Sequence, residues 1–180
     1  MTEEYKYIIL PPDGFHMTMR DTIADAREYI PAALEVIEKI RQPGESVLIK
    51  YRTENQRRLF PTRVHARVGY GNLLDLCGPD TVVVGRPGSA TWECLLNDIS
   101  FYAFWDMWSY CNNRFTNRGA LTRLSNILKV ARTPQELHSN LSHGEIYQAG
   151  RSKLDLLHST GVGLPDIVSA VLADRGHQHA

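Results

Sequence analysis

The sequence lacks the usual signals of secretion and membrane insertion. Its first residues, MTEEYKYIILPPDG, contain no basic segment followed by a long apolar one, so we expect no signal peptide. No run of the sequence approaches the roughly 18 uninterrupted apolar residues that indicate a membrane-spanning helix. We therefore expect a cytoplasmic protein with no membrane partner.

Cysteine is scarce, and neither sign of charge is in excess. The three cysteines are Cys77, Cys94 and Cys111, an odd number with no CxxC spacing, which predicts buried reduced thiols rather than disulfides or metal ligands. The 20 basic and 20 acidic residues give a net charge of zero, which argues against a protein that coats nucleic acid. The composition suggests neither a metal nor a cofactor.

Length and composition favour one folded domain. The chain has 180 residues, of which 43% are hydrophobic and 22% charged, and this is enough to build a single core. We place the domain at residues 1–176 and expect a frayed tail at 177–180.

Local patterns place the strands before residue 85 and most helices after it. Apolar and β-branched runs predict strands, whereas periodic apolar positions predict helices, the first with a break at Pro31. This division predicts the α+β class, with a small and mostly antiparallel sheet in residues 5–85, a long helix, and a helical C-terminal half. The predicted strands are 5–10, 46–51, 60–68 and 81–84, and the predicted helices are 21–41, 90–112, 119–131, one from 133, 151–158 and 164–176.

A glycine loop follows the run TVVV and opens the predicted long helix. Backbone N–H groups at a helix N-terminus attract anions, and Gly85 and Gly88 would let a phosphate approach closely. Arg86 adds a positive charge, and Ser89 is the expected helix cap. The loop GRPGSAT has neither the lysine of a Walker loop nor the GxGxxG pattern, so an ordinary capped turn is the alternative.

The segment FPTRVHARVGY carries alternating cations. Arg63, His65 and Arg67 would share one face of the predicted strand 60–68, with Arg52 and Arg58 shortly before it. If the two strands form a hairpin, these cations cluster on one sheet face. Arginine forks suit phosphates and carboxylates, so a protein partner, an RNA, or solvent alone would fit that face.

Aromatic residues crowd the second half of the predicted long helix. The run FYAFWDMWSY covers almost every direction of a helix, which predicts burial in the core or against a partner. Trp108 is the candidate anchor for such a partner.

The sequence contains no catalytic motif such as GxSxG, and we assign no catalytic residue. The first interpretation is therefore a non-enzymatic interaction or regulatory protein, such as an inhibitor, an immunity-type binder or an adaptor, with a protein partner or a homodimer. One alternative is a small transferase or hydrolase that binds a phosphate-bearing ligand at the GRPGSAT loop, with Asp106 or His65 as acid or base. The other alternative is RNA binding through the arginine-rich strand.

Overall fold

The computed structural model of the chain describes residues 5–11, 20–59, 67–104 and 126–159. Strands and helices alternate through most of this length, which is the pattern of an α/β protein. In chain order the elements are β1 (Tyr5–Ile9), α1 (Arg20–Ile40), β2 (Val47–Lys50), α2 (Glu54–Leu59), β3 (Arg67–Gly69), a 3₁₀ turn (Leu74–Leu76), β4 (Cys77–Gly85), α3 (Ser89–Leu96), β5 (Ser100–Ala103), α4 (Pro134–His143) and α5 (Lys153–Ser159).

The five strands form one sheet in the order β3-β2-β1-β4-β5, and every neighbouring pair is parallel. In the centre of the sheet, Ile8 is in register with Leu48 on one side and with Val83 on the other. The predicted α+β fold with a mostly antiparallel sheet is therefore wrong. The physical reason is that crossover segments, rather than tight turns, join the strands, and such crossovers return the chain in the same direction.

Helices cover both faces of the sheet. Tyr7 and Ile9 of β1 pack in a cluster with α1 and α4, whereas Ile8 packs in a second cluster with α3 and α5. Leu137 of α4 and Leu156 of α5 are both buried against their respective faces. Because both faces are covered, β1 and β4 are apolar in consecutive positions, as is typical of buried parallel strands.

The predicted helix 90–112 is confirmed at residues 90–96 but not in the rest of its described part, residues 97–104. Helix α3 ends at Leu96, and the chain then turns through Asp98, whose φ of 58° is left-handed. Residues Ser100–Ala103 form β5, which pairs with β4. Asn and Asp tolerate this turn, and aromatic residues favour strands, so the helix prediction for this segment is wrong. Trp108 lies outside the described residues.

The predicted helix 119–131 is helical at residues 126–127 but not at residues 128–131. The backbone N–H of Ala131 donates to the carbonyl of Ala103 at 2.9 Å, and Phe104 bridges to Ala131 in parallel. Leu128 forms an antiparallel bridge to Tyr147. Extended chain therefore continues the sheet beyond β5.

Several other predicted elements are confirmed. Strands β1 and β2 and helices α1 and α5 match their predicted positions closely, whereas β4 contains the predicted strand 81–84 but begins four residues earlier, at Cys77. Helix α4 begins as expected, with Thr133 accepting a hydrogen bond from the Glu136 N–H at 3.2 Å and Pro134 in the first turn.

Helix α1 continues through Pro31, where we expected a break, and α2 replaces a predicted connection. Of the predicted strand 60–68, only residues 67–68 are described, within β3, and the predicted helix 164–176 lies outside the described residues.

Among the residues that the structure describes, no helix is long and apolar enough to cross a membrane.

Candidate functional site

The strand order reverses between β1 and β4. From β1 the chain crosses to β2 with α1 on one face, and from β4 it crosses in the other direction to β5 with α3 on the opposite face. The shared right-handedness of such crossovers requires this change of face. At a point of this kind the chain leaves two neighbouring strands in opposite directions, so a crevice opens at their carboxyl ends, where α/β proteins bind ligands. We call the space next to Pro11, which follows β1, and Arg86, which follows β4, the switch-point crevice.

The two strands stay paired up to the edge of this crevice. The Leu10 N–H donates to the Val84 carbonyl at 2.9 Å, and the Phe104 N–H donates to the Gly85 carbonyl at 3.0 Å. Gly85 is closely packed here, because a Cβ added to it would lie 3.2 Å from the Phe101 ring and 3.3 Å from the Leu10 Cβ. A glycine at this position therefore allows β4 to pack closely against Phe101 and Leu10 next to the crevice.

Gly88 differs from Gly85 because its surroundings are open. Its backbone is extended, with φ of −178°, and the nearest atom to an added Cβ is the Arg86 carbonyl oxygen at 3.9 Å. Apart from the two chain neighbours of Gly88, no described residue places a side-chain atom within 4 Å of that added Cβ.

Helix α3 begins at the same loop. Gly88 is the cap residue, and its N–H donates to the Thr91 hydroxyl at 2.9 Å while the Thr91 N–H donates to the Gly88 carbonyl at 3.1 Å. The expectation that Ser89 caps the helix is wrong, since Ser89 is the first helical residue and is exposed. The positive end of the α3 dipole thus lies at the crevice.

Arg86 directly follows β4 and is half-buried, with a buried Nε atom. Tyr29 of α1 is fully buried, and its ring packs against Phe104 with centroids 5.0 Å apart. Burial raises the pKa of Tyr29 far above its usual range, and the nearby charge of Arg86 opposes this rise. Arg86 is therefore close to the α1 side of the sheet edge.

Gln56 of α2 joins the ends of β1 and β2. Its side chain is buried, with an exposed fraction of 7% for the residue. Its Nε2 donates to the Pro11 carbonyl at 3.2 Å, and its Oε1 accepts from the Arg52 N–H at 2.6 Å. The sequence does not indicate a role for Gln56, because nothing distinguishes a buried glutamine in a polar run from a solvent-exposed glutamine.

The structure does not bring Arg52 and Arg67 close together. Strand β3 runs parallel to β2, and Arg67 is in register with Leu48, whereas Arg52 lies past the carboxyl end of β2. Arg52 is four residues beyond Leu48, which corresponds to about 13 Å along the strand direction. Both arginines are exposed, as is Arg58 of α2. The predicted hairpin is therefore wrong, because the two strands are parallel. Arg63 and His65 lie outside the described residues, so the arginine face stays a prediction.

Two cysteines and a lysine lie near one another on the α3 face, within range of the charge of Glu93. Burial raises the pKa of Cys77 to about 11, and it raises the pKa of Cys94 further still. Burial lowers the pKa of Lys50, while Glu93 opposes that change. Cys94 is buried as predicted and Cys77 is half-buried, so neither thiol is activated for nucleophilic chemistry. Cys111 lies outside the described residues.

Within the described ranges, no group of three or more histidine, cysteine or acidic side chains is placed to hold a metal ion. Comparison of the chain with protein families, with curated proteins and with solved structures finds no match. The function is therefore argued from the geometry of the switch-point crevice.

Proposed function

We propose that the protein binds a small phosphate-bearing ligand, such as a nucleotide or a coenzyme, in the switch-point crevice. The observation that carries this proposal is the reversal of strand order between β1 and β4, which puts the GRPGSAT loop at the preferred ligand position of an α/β sheet. A phosphate-bearing ligand is one of the alternatives that the sequence indicates, and the position of the loop at the switch point favours it.

Three features of the loop suit an anionic group. The N-terminus of α3 supplies the positive end of a helix dipole, and Arg86 supplies a full charge. The open surroundings of Gly88 let a phosphate reach the backbone. A guanidinium can bind two phosphate oxygens at once, which would compensate for the missing Walker lysine.

The proposal concerns binding, and a reaction on the ligand needs an acid or a base as well. The candidates for that role, His65 and Asp106, lie outside the described residues. Catalysis by a transferase or hydrolase therefore stays a prediction, as do binding to a protein partner and to RNA.

The test is a thermal-shift and calorimetric titration with ADP, NAD, coenzyme A and pyrophosphate at low and high salt. We expect saturable stabilisation by at least one of these ligands, because a ligand that binds only the folded state raises its melting temperature. Gly88→Trp should remove the effect by filling the crevice.

Gly88→Ala is the matched control, because it adds a single methyl group that would lie 3.9 Å from the Arg86 carbonyl oxygen. Without ligand, both variants should melt close to the wild type. A flat response to all four ligands, or binding by Gly88→Trp at wild-type affinity, overturns the proposal.

A further inference from the structure

The chain contains five lysines, and all of them lie in the part that the structure describes. Three of them, Lys39, Lys129 and Lys153, form ion pairs with carboxylates. The side chains of Lys6 and Lys50 form no hydrogen bond or ion pair within the described residues. Lys50 ends β2 at the carboxyl edge of the sheet, whereas Lys6 lies near the amino end of β1. Of the two, only Lys50 is therefore on the side of the switch-point crevice.

The side chain of Lys50 lies on the face of the sheet that α3 covers. Leu48, two residues earlier on β2, packs in the cluster of that face, and alternate residues of a strand share a face. Lys50 is half-buried there, and its ammonium is within range of the charge of Glu93 on α3. The Lys50 ammonium thus lies between the end of β2 and the helix that begins at the GRPGSAT loop.

Lys50 is also level with the wall of the crevice. The register of β2 with β1 puts it beside Leu10, the residue before Pro11. Strand β1 separates β2 from β4, and neighbouring strands are about 4.8 Å apart, so the Lys50 backbone and the loop lie on the order of 10 Å apart. The lysine side chain and a small ligand held at the loop can together span this distance.

An amine in this position can act as a nucleophile. Burial lowers the pKa of Lys50, and the charge of Glu93 opposes that change only in part, so the neutral amine is more populated than in an exposed lysine. A neutral lysine adds to an aldehyde or ketone and forms an imine. The amine gives up its two protons, and the carbonyl oxygen leaves with them as water, so the step needs neither an oxidant nor a reductant.

We infer that Lys50 forms an imine with the ligand of the switch-point crevice, and that this ligand carries an aldehyde or ketone in addition to its phosphate. This inference rests on the proposed function and narrows its ligand class to phosphorylated carbonyl compounds, such as a sugar phosphate or a phosphorylated aldehyde coenzyme. The GRPGSAT loop binds the phosphate, and Lys50 binds the carbonyl carbon.

The test traps the imine with sodium borohydride, which transfers hydride to it and leaves a stable secondary amine. The protein is incubated at pH 8 with less than one equivalent of pyridoxal phosphate, or with pyridoxal, which lacks the phosphate. Peptide mass spectrometry gives the ratio of modification at Lys50 to that at Lys6, and this ratio cancels the intrinsic reactivity of each aldehyde. We expect a ratio of at least about ten with pyridoxal phosphate, because a bound carbonyl is held beside the amine, and a smaller ratio with pyridoxal.

Variants and competition check where the phosphate binds. Gly88→Trp or an excess of pyrophosphate should lower the ratio for pyridoxal phosphate to the value found with pyridoxal. Lys50→Arg keeps the positive charge but cannot form an imine, so it should remove the dominant adduct. Lys6→Arg is the matched control and should leave the adduct at Lys50 in place.

The outcomes separate this inference from the proposed function. Stabilisation of the protein by pyrophosphate, combined with equal modification of Lys50 and Lys6 or with the same ratio for both aldehydes, overturns the inference and leaves the proposed function standing. The absence of both stabilisation by any phosphate probe and preferential modification of Lys50 overturns both.

Discussion

The side-chain Nε2 of Gln56 donates a 3.2 Å hydrogen bond to the carbonyl oxygen of Pro11. This bond links the segments that leave two neighbouring strands, β1 and β2, and it is buried. The Gln56 side-chain amide therefore helps to fix the positions of both segments at the crevice.

Replacing Gln56 by glutamate should make stability depend on pH. Burial and the Pro11 carbonyl would raise the pKa of the new carboxyl above its unfolded value of about 4.3. A raised pKa means that the folded state holds the proton to higher pH, so the destabilisation relative to wild type is smallest below about pH 4 and grows as pH rises through the raised pKa. We expect a loss of about 1–3 kcal/mol relative to wild type at pH 7, from urea unfolding.

Asn55→Asp is the control for this experiment, because it adds an acid at the neighbouring, exposed position. It should show little change with pH. An equal destabilisation of Gln56→Glu at pH 4 and pH 7 would contradict the assigned hydrogen bonds.

The same glycine-to-alanine change should have different effects at two positions three residues apart. At Gly85 the new methyl would lie 3.2 Å from the Phe101 ring, so we expect a loss of about 1–3 kcal/mol from overpacking. At Gly88 space is available, and the loss should stay below about 1 kcal/mol, from the weaker helix cap. Chemical denaturation measures both, and equal losses would disagree with the structure.

The cysteines should resist alkylation in the folded protein. With the pKa of Cys77 at about 11, roughly one thiol in a thousand is ionised at pH 8, and Cys94 is buried as well. In a Cys111→Ser background, we expect little modification by iodoacetamide over an hour and complete modification of both thiols in urea. Mass spectrometry gives the extent, and rapid labelling of Cys77 in the native state would refute this expectation.

Alkaline stability should depend on Tyr29. Because burial raises its pKa above the unfolded value of about 10, the folded state keeps the phenol proton, and stability falls as pH rises beyond 10. Tyr29→Phe should show a smaller decline between pH 9 and pH 11 in urea unfolding. The exposed Tyr70→Phe is the control and should decline like the wild type.

The positions of most strands follow from local sequence, but their directions do not. The runs YKYII, VLIK and TVVV mark β1, β2 and β4 without knowledge of the fold. Whether two strands are parallel depends on the segment that connects them, and here the polar run after β2 forms a helix. The consecutive apolar residues in β1 and β4 were the available indication of a sheet covered on both faces.

The site was only partly predictable for a related reason. Gly85, Arg86 and Gly88 were recognised as a loop that opens a helix, because that pattern is local. Their position at the switch point depends on strand order, which is a property of the whole chain. Gln56 acquires its role only by burial against Pro11, 45 positions away, and no local pattern indicates that contact.

The central place of β1 in the sheet has a consequence for folding. Tyr7 pairs with Val47 on one side and with Val82 on the other, so β1 needs a partner 75 residues later in the chain. Contacts between such distant residues slow folding, since a long loop must close before they form. During synthesis, β1 can pair with β2 early, but its other edge stays unpaired until β4 is made, and a chaperone that shields this edge would raise the yield of native protein.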